Sequence, residues 1–223
     1  MSEQATPAVT NTASPAHRRV NTRRLAETAI MIAVAMILAE FVKPFQSPFG
    51  GGISICGMVP IILVSYRWGV KWGFFSAFVF GVLQLFMGIA KNSFAFELWL
   101  VIIDVILEYI LAYTLLGLGG IFRNRFKKPW AALTLGGIVA VFARYFVHFI
   151  AGFLIWGTYA TEFFTEGKGA GIGEAVLSHF QGLGLAVVYS GVYNGALMLC
   201  EMVITVLALF IIGKIPALSK KMD

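Results

Sequence analysis

Six long apolar stretches, separated by short polar or basic segments, set out the plan of this chain: residues 24–42, 53–66, 69–88, 96–118, 131–156 and 183–213. A helix needs about 20 apolar residues to cross a bilayer core. The pattern therefore predicts an all-α, polytopic membrane protein, a bundle of six transmembrane helices. The second stretch is short for a crossing and carries Pro60, so it is expected to be tilted, broken or partly re-entrant. The Thr/Ala/Pro/Ser-rich start predicts a disordered tail over 1–21, leaving 22–223 as the membrane domain.

The apolar pattern is interrupted at a few positions. Glu108 lies deep in the fourth stretch, Arg144 and His148 in the fifth, and Asn194 in the sixth. A charged side chain at bilayer depth costs about 2.5–3.5 kcal/mol even on the lenient insertion scale, so such groups face a partner, a cavity or a substrate. Spread over three stretches, they predict a polar pocket inside the bundle. Arg144 and His148 are about 40° apart around a helix, and Arg144 and Trp156 about 120°. One side of the fifth helix would thus present a cation, an imidazole and an indole in sequence. The bland alternative is a structural ion pair between Glu108 and Arg144 with a packed core histidine. Tyr189 and Asn194 lie about 140° apart, so both reach one ligand only if the helix is distorted near Gly191 or the ligand sits between their faces.

Composition agrees with the membrane reading: 59% of the 223 residues are hydrophobic and the mean hydropathy is +0.84. The formal charge of +6 is a matter of topology and not of nucleic-acid binding. Arg18, Arg19, Arg23, Arg24, Arg67, Lys71, Arg123, Arg125, Lys127, Lys128, Lys214, Lys220 and Lys221 fall on one side of a six-span plan. Lys43, Lys91 and Lys168 fall on the other. The positive-inside rule then puts both termini in the cytoplasm. Cys56 and Cys200 read as small buried apolar residues without a disulfide.

Several local features bear on function. Ala29 and Ala33 share one face of the first helix, which serves packing within the bundle or docking to another membrane protein. Residues 43–52, with two prolines and three consecutive glycines, form a connecting loop or a lid in which Phe45 and Phe49 close over a ligand. The long loop 157–182 holds a glycine cluster with Lys168, but it lacks the Gly-Lys-Ser/Thr order of a phosphate-binding loop, and its His179 reads as a solvent or interface residue. No His-Glu-x-x-His or Gly-x-Ser-x-Gly motif occurs. No catalytic or metal site is expected, and binding is the better reading than catalysis.

Four stretches together resemble the thiamine-specific S component of energy-coupling-factor (ECF) vitamin transporters. They are Leu107-Glu-Tyr109 before Leu116-Gly-Leu-Gly-Gly-Ile-Phe-Arg123, Arg144-Tyr-Phe-Val-His-Phe-Ile-Ala-Gly152 leading to Trp156, Val188-Tyr-Ser-Gly-Val-Tyr-Asn-Gly195 continuing to Met198-Leu-Cys-Glu201, and the alanine-rich start of the first helix. The resemblance implies a vitamin pocket near the outer face, capped by the loop after the first helix. It also implies docking through the first helix, at Ala29 and Ala33, to a membrane coupling (T) subunit and two cytoplasmic ATPase subunits that hydrolyse the ATP. The chain itself would then hold no cofactor. By position, the ligand residues fall on Glu108, Tyr109, His148, Trp156, Tyr189 and Asn194, with Arg144 in a place where lysine also occurs.

The chemistry of thiamine suits that set. Aromatic faces stack on either ring and attract the thiazolium cation. Glu108 accepts from the amino group and offsets the charge, while Tyr189 and Asn194 supply neutral hydrogen bonds. Arg144 is expected to pair with Glu108 or to bond a ring nitrogen. The chain departs from the family in having no tryptophan in the loop after the first helix and a longer loop over 157–182. The alternatives are an S component for another small vitamin or a thiamine precursor, and an autonomous carrier. The carrier reading calls for an internal repeat or a continuous polar path, and the apolar inner halves of the fifth and sixth stretches give it neither.

Overall fold

The computed structural model describes residues 22–46, 52–91, 97–167 and 169–222. The expected tail and Phe49 lie outside them. The chain forms an all-α bundle. Helix α1 (Thr22–Phe41) leads into a two-stranded antiparallel ribbon, β1 (Phe45–Gln46) with β2 (Gly52–Ile53). Helices α2 (Val59–Trp68) and α3 (Val70–Lys91) follow. The fourth segment, α4, spans Leu98–Gly120 and is composite, and α5 covers Pro129–Leu154. Two short helices, α6 (Ala160–Thr165) and α7 (Ala170–His179), precede the long α8 (Gly182–Lys214). Among the described residues, α3, α4, α5 and α8 contain segments long and apolar enough to cross a membrane.

The second apolar stretch is not a crossing helix. Its first part is β2 and a turn, and the helix begins only at Val59 with Pro60 in its first turn, where a missing N–H is harmless. Ten residues rise about 15 Å, half of a bilayer core. Every residue from Val59 to Arg67 is buried, so α2 is a half-helix enclosed by its neighbours. At Gly69, φ is +92°, a conformation open to glycine, and there the chain reverses into α3.

Small residues let the helices close on one another. A Cβ at Gly136 of α5 would collide with the Gly119 carbonyl of α4, and one at Gly152 would collide with Ser190 and Asn194 of α8. Helices α5 and α8 make the most extensive contact in the bundle. The main core gathers α2 with Ile32, Ala35 and Ala39 of α1, Phe80 of α3, Leu116 of α4, Leu133 of α5 and Leu209 of α8. A second, aromatic cluster at the other end joins Phe163 and Phe164 of α6 to Tyr189 of α8, with Trp156 packed against it.

Some expectations are corrected. The loop 157–182 contains α6, which buries Ala160, Phe163 and Phe164, and α7, which buries Gly173 and packs the half-buried Val176 and Leu177 on the aromatic cluster. His179 is exposed there, as expected. Helix α5 ends at Leu154, and Trp156 opens a separate 3₁₀ turn, so the indole does not continue the Arg144–His148 ladder along one helix. Helix α8 runs unbroken through Gly191. Both cysteines are free, but Cys200 is exposed and Cys56 half-buried outside any helix, so neither is a buried filler.

The basic end of the bundle is held by arginines. Arg67, at the C-terminus of α2, forms a two-point ion pair with Glu27 of α1 and donates to the Leu218 carbonyl at 2.8 Å. The Met222 amide donates to the Arg67 carbonyl at 2.8 Å, and Arg123 donates to the Met222 carbonyl at 3.0 Å. Residues 215–222 are thereby strapped across this end. Trp72 and Trp130 lie here too, under Arg24 and Lys214, as interfacial indoles do.

Candidate ligand-binding site

Residues from four elements converge between α4, α5 and α8. Helices α5 and α8 run antiparallel, so each polar level of one meets a polar level of the other. On α5, Arg144 and His148 lie one turn apart. On α8, Asn194 and Glu201 are seven apart, two turns on one face. At the outer level, the Asn194 amide donates to the His148 carbonyl and to Ser190, both at 3.1 Å. At the inner level, Arg144 pairs with Glu201 at 3.3 Å. Its guanidinium also stacks on Tyr113, 4.4 Å from the ring centre, and reaches the sulfur of Met58 at 3.0 Å.

Arg144 was expected to pair with Glu108 or to bond a ring nitrogen of the ligand; the first alternative is corrected, since the carboxylate it pairs with is Glu201. Glu201 is 3% exposed and divides its two oxygens. Oε2 faces Arg144, while Oε1 accepts from the Ser54 amide at 2.8 Å and the Ser54 hydroxyl at 2.6 Å. Ser54 follows β2 and is buried beside the start of α2. Non-helical backbone at such depth must be satisfied from within the protein, and Glu201 does this.

Glu108 is bonded instead to His148 Nδ1. The proton positions follow from donor chemistry. Arg144 Nε donates to His148 Nε2 at 3.1 Å, and a guanidinium can only donate. His148 Nε2 is therefore the bare nitrogen, and the ring proton sits on Nδ1, directed at Glu108. The imidazole is neutral in this arrangement. Arg144 pairs with Glu201, and the Glu108 carboxyl group is met by the imidazole N–H. The Glu108 side chain is 22% exposed, the most open member of the chain Ser54–Glu201–Arg144–His148–Glu108.

Glu108 owes its position to a local irregularity. Within α4, Val105–Leu111 is a π-helical segment, and the Ala112 amide bonds to the Leu107 carbonyl five residues back. Such wide turns recur at functional sites. Just before it, Asp104 is 3% exposed and hydrogen-bonded to the Trp156 side chain.

The sequence-based set thus divides. Glu108, Arg144, His148 and Asn194 are brought into one hydrogen-bonded group. Trp156 and Tyr189 belong to the adjoining aromatic cluster, where Tyr189 stacks on Tyr193 at 5.6 Å and meets Phe163 edge-on at 5.3 Å. Tyr109 stands apart: its phenol packs on Gly88 of α3 and its carbonyl on Gly81. Phe45 is half-buried on β1. Ala29 and Ala33 are exposed on α1, whereas Ala35 and Ala39 face the core. Glu201, Ser54 and Asp104 were missed as site residues. The seven-residue spacing from Asn194 could have found Glu201, and the four-residue spacing to Glu108 could have found Asp104. Nothing in the sequence signals Ser54. No group of three or more His, Cys, Asp or Glu able to hold a metal occurs among the described residues.

A family model described as "Thiamine transporter protein (Thia_YuaJ)" matches residues 25–167, a range that includes Glu108, Arg144, His148 and Trp156. Thiamine transporter ThiT of Bacillus subtilis (strain 168) is 36% identical over 149 residues, covering 62% of this chain and 73% of that protein. Thiamine transporter ThiT of Lacticaseibacillus paracasei is 35% identical over 150 residues, with 61% and 69% covered. Among solved structures, ThiT from Listeria monocytogenes superposes with a TM-score of 0.66 at 29% identity, over 89% of this chain and 98% of that one.

Proposed function

The chain belongs to the thiamine transporter protein family, and from that premise we propose that it is the thiamine-capturing membrane subunit of an ECF-type uptake system. The observation that carries this reading is the Glu108 carboxylate. It is partly open, in a membrane bundle, and opposed by a neutral imidazole. A permanent cation with hydrogen-bonding ring nitrogens answers that arrangement, since it supplies the missing positive charge and brings its own polar groups. Trp156, half-buried at the edge of the aromatic cluster, offers an indole face to one of the cation's rings, and the buried Tyr189 backs that cluster.

A scavenging subunit binds near nanomolar, about −12 kcal/mol. Over about 18 non-hydrogen atoms that is roughly −0.7 kcal/mol per atom, a value that calls for near-complete enclosure. In this reading the β1–β2 ribbon carrying Phe45 serves as the cover, supported by the hydrogen bonds from Ser54, just after its return strand, to Glu201. The exposed Ala29 and Ala33 support docking of α1 on a coupling subunit, with ATP hydrolysed by partner ATPases.

The test is a titration of the detergent-purified protein with thiamine, read by tryptophan fluorescence, with Trp156→Phe in parallel. Saturable nanomolar quenching that is largely lost in the variant is the expected result. A flat calorimetric trace on folded protein would remove thiamine as the ligand.

A further inference from the structure

The buried carboxylates of the bundle are not equally provided for. Glu201 has Arg144 and both donors of Ser54. Glu108 has His148, and Glu40 has Lys43 at 3.6 Å. Asp104 has the Trp156 indole, and its Oδ1 meets no hydrogen-bond donor among the described residues. It is 3% exposed, closes the α-helical turn Leu98–Asp104 and precedes the π segment. It stands one turn before Glu108 on the same helix, so both carboxylates face the same region. A carboxylate taken out of water without a cation is among the costliest groups a fold can hold. No described cation offsets it, because Arg144 is committed to Glu201 and His148.

We propose that Asp104 is a second anionic ligand-binding residue: one oxygen fixes the Trp156 indole, and the free oxygen faces the positive charge of the bound ligand. The inference rests on the thiamine reading and refines it. Glu108, already bonded to the imidazole, is left to accept from the ligand's amino group. Asp104 and Trp156 together then form the wall that selects a cationic ring, the carboxylate attracting its charge and the indole its face. A neutral analogue of the same shape would keep its stacking and lose the attraction to Asp104.

The experiment compares thiamine with its neutral analogue, in which a thiophene ring replaces the thiazolium, on wild type, Asp104→Asn, Asp104→Glu and Asp104→Ala. Asp104→Asn keeps an acceptor for the indole and removes the charge. It should weaken thiamine at least tenfold and the neutral analogue less than threefold, while Asp104→Glu retains the preference for the cation. The quench of Trp156 at saturation should persist in Asp104→Asn and fall in Asp104→Ala. If Asp104→Asn does not fold, judged by thermal unfolding in detergent, Asp104→Ser provides the uncharged arm. An unchanged preference in the uncharged variant, or equal losses for both ligands, overturns the role of Asp104 and leaves thiamine binding standing. Failure of wild type to bind thiamine overturns the functional reading and this inference with it.

Discussion

Arg144, His148 and Glu108 show how donor-only and acceptor-only groups fix proton positions in a buried chain. The guanidinium forces the imidazole proton to the side of Glu108, so on the reading proposed above the group offered to the ligand is set from two residues away. Glu108→Gln should weaken thiamine by at least tenfold in calorimetry, since it removes the carboxylate charge while keeping the shape; unchanged affinity would take Glu108 out of the site. Glu201→Gln acts differently. It strands Arg144 in the core, and breaking a buried pair costs about 3–5 kcal/mol, which should appear as a large drop in the thermal unfolding midpoint. Ser54→Ala should be mild by comparison, about 1 kcal/mol, because the backbone N–H still reaches Glu201. Glu108, Arg144, His148 and Asn194 were legible in the sequence because polar residues in apolar stretches stand out. Glu201 was visible only as part of a motif. Its pairing with Arg144 was not legible, because pairing depends on which polar levels of α5 and α8 come opposite each other, and that is a tertiary fact.

At the level of elements, the crossing segments were readable from hydropathy, and their interruptions were not. The exception is half-helix α2, signalled by the shortness of its stretch and by Pro60; the π segment and the early end of α5 fall inside apolar runs whose composition is blind to them. The π segment matters most, since its extra residue per turn sets the angle at which Glu108 leaves α4. Deleting Ile110 removes the extra residue, so the wide turn should close to α geometry with its flanks nearly in place while the Glu108 side chain is redirected. The expected outcome is a folded, membrane-inserted protein that no longer binds thiamine. Retained nanomolar affinity would show that the wide turn is incidental. Helix packing is less forgiving. Gly136→Ala places a methyl group against the Gly119 carbonyl, and overpacking of that kind typically costs about 1–3 kcal/mol.

For the molecule as a whole, the sequence conveyed the class and the family, because each rests on patterns spread over the whole chain. It did not convey how polarity is divided between the two ends. One end carries the candidate ligand cluster and the aromatic residues beside it; the other carries Arg67, Arg123 and the strapped tail. On the reading proposed above, the protein alone in liposomes should bind thiamine and reach equilibrium without concentrating it, measured with radiolabelled vitamin. Accumulation driven by ATP without added subunits would overturn the dependence on partner ATPases.

The tail strap bears on how the protein can be handled. Met222 gives its amide to Arg67 and its carbonyl to Arg123, and Arg67 also grips Glu27 of α1. A reporter fused directly after Asp223 therefore pulls on a hydrogen-bonded latch that reaches the first helix, whereas the same reporter behind a flexible spacer leaves the latch closed.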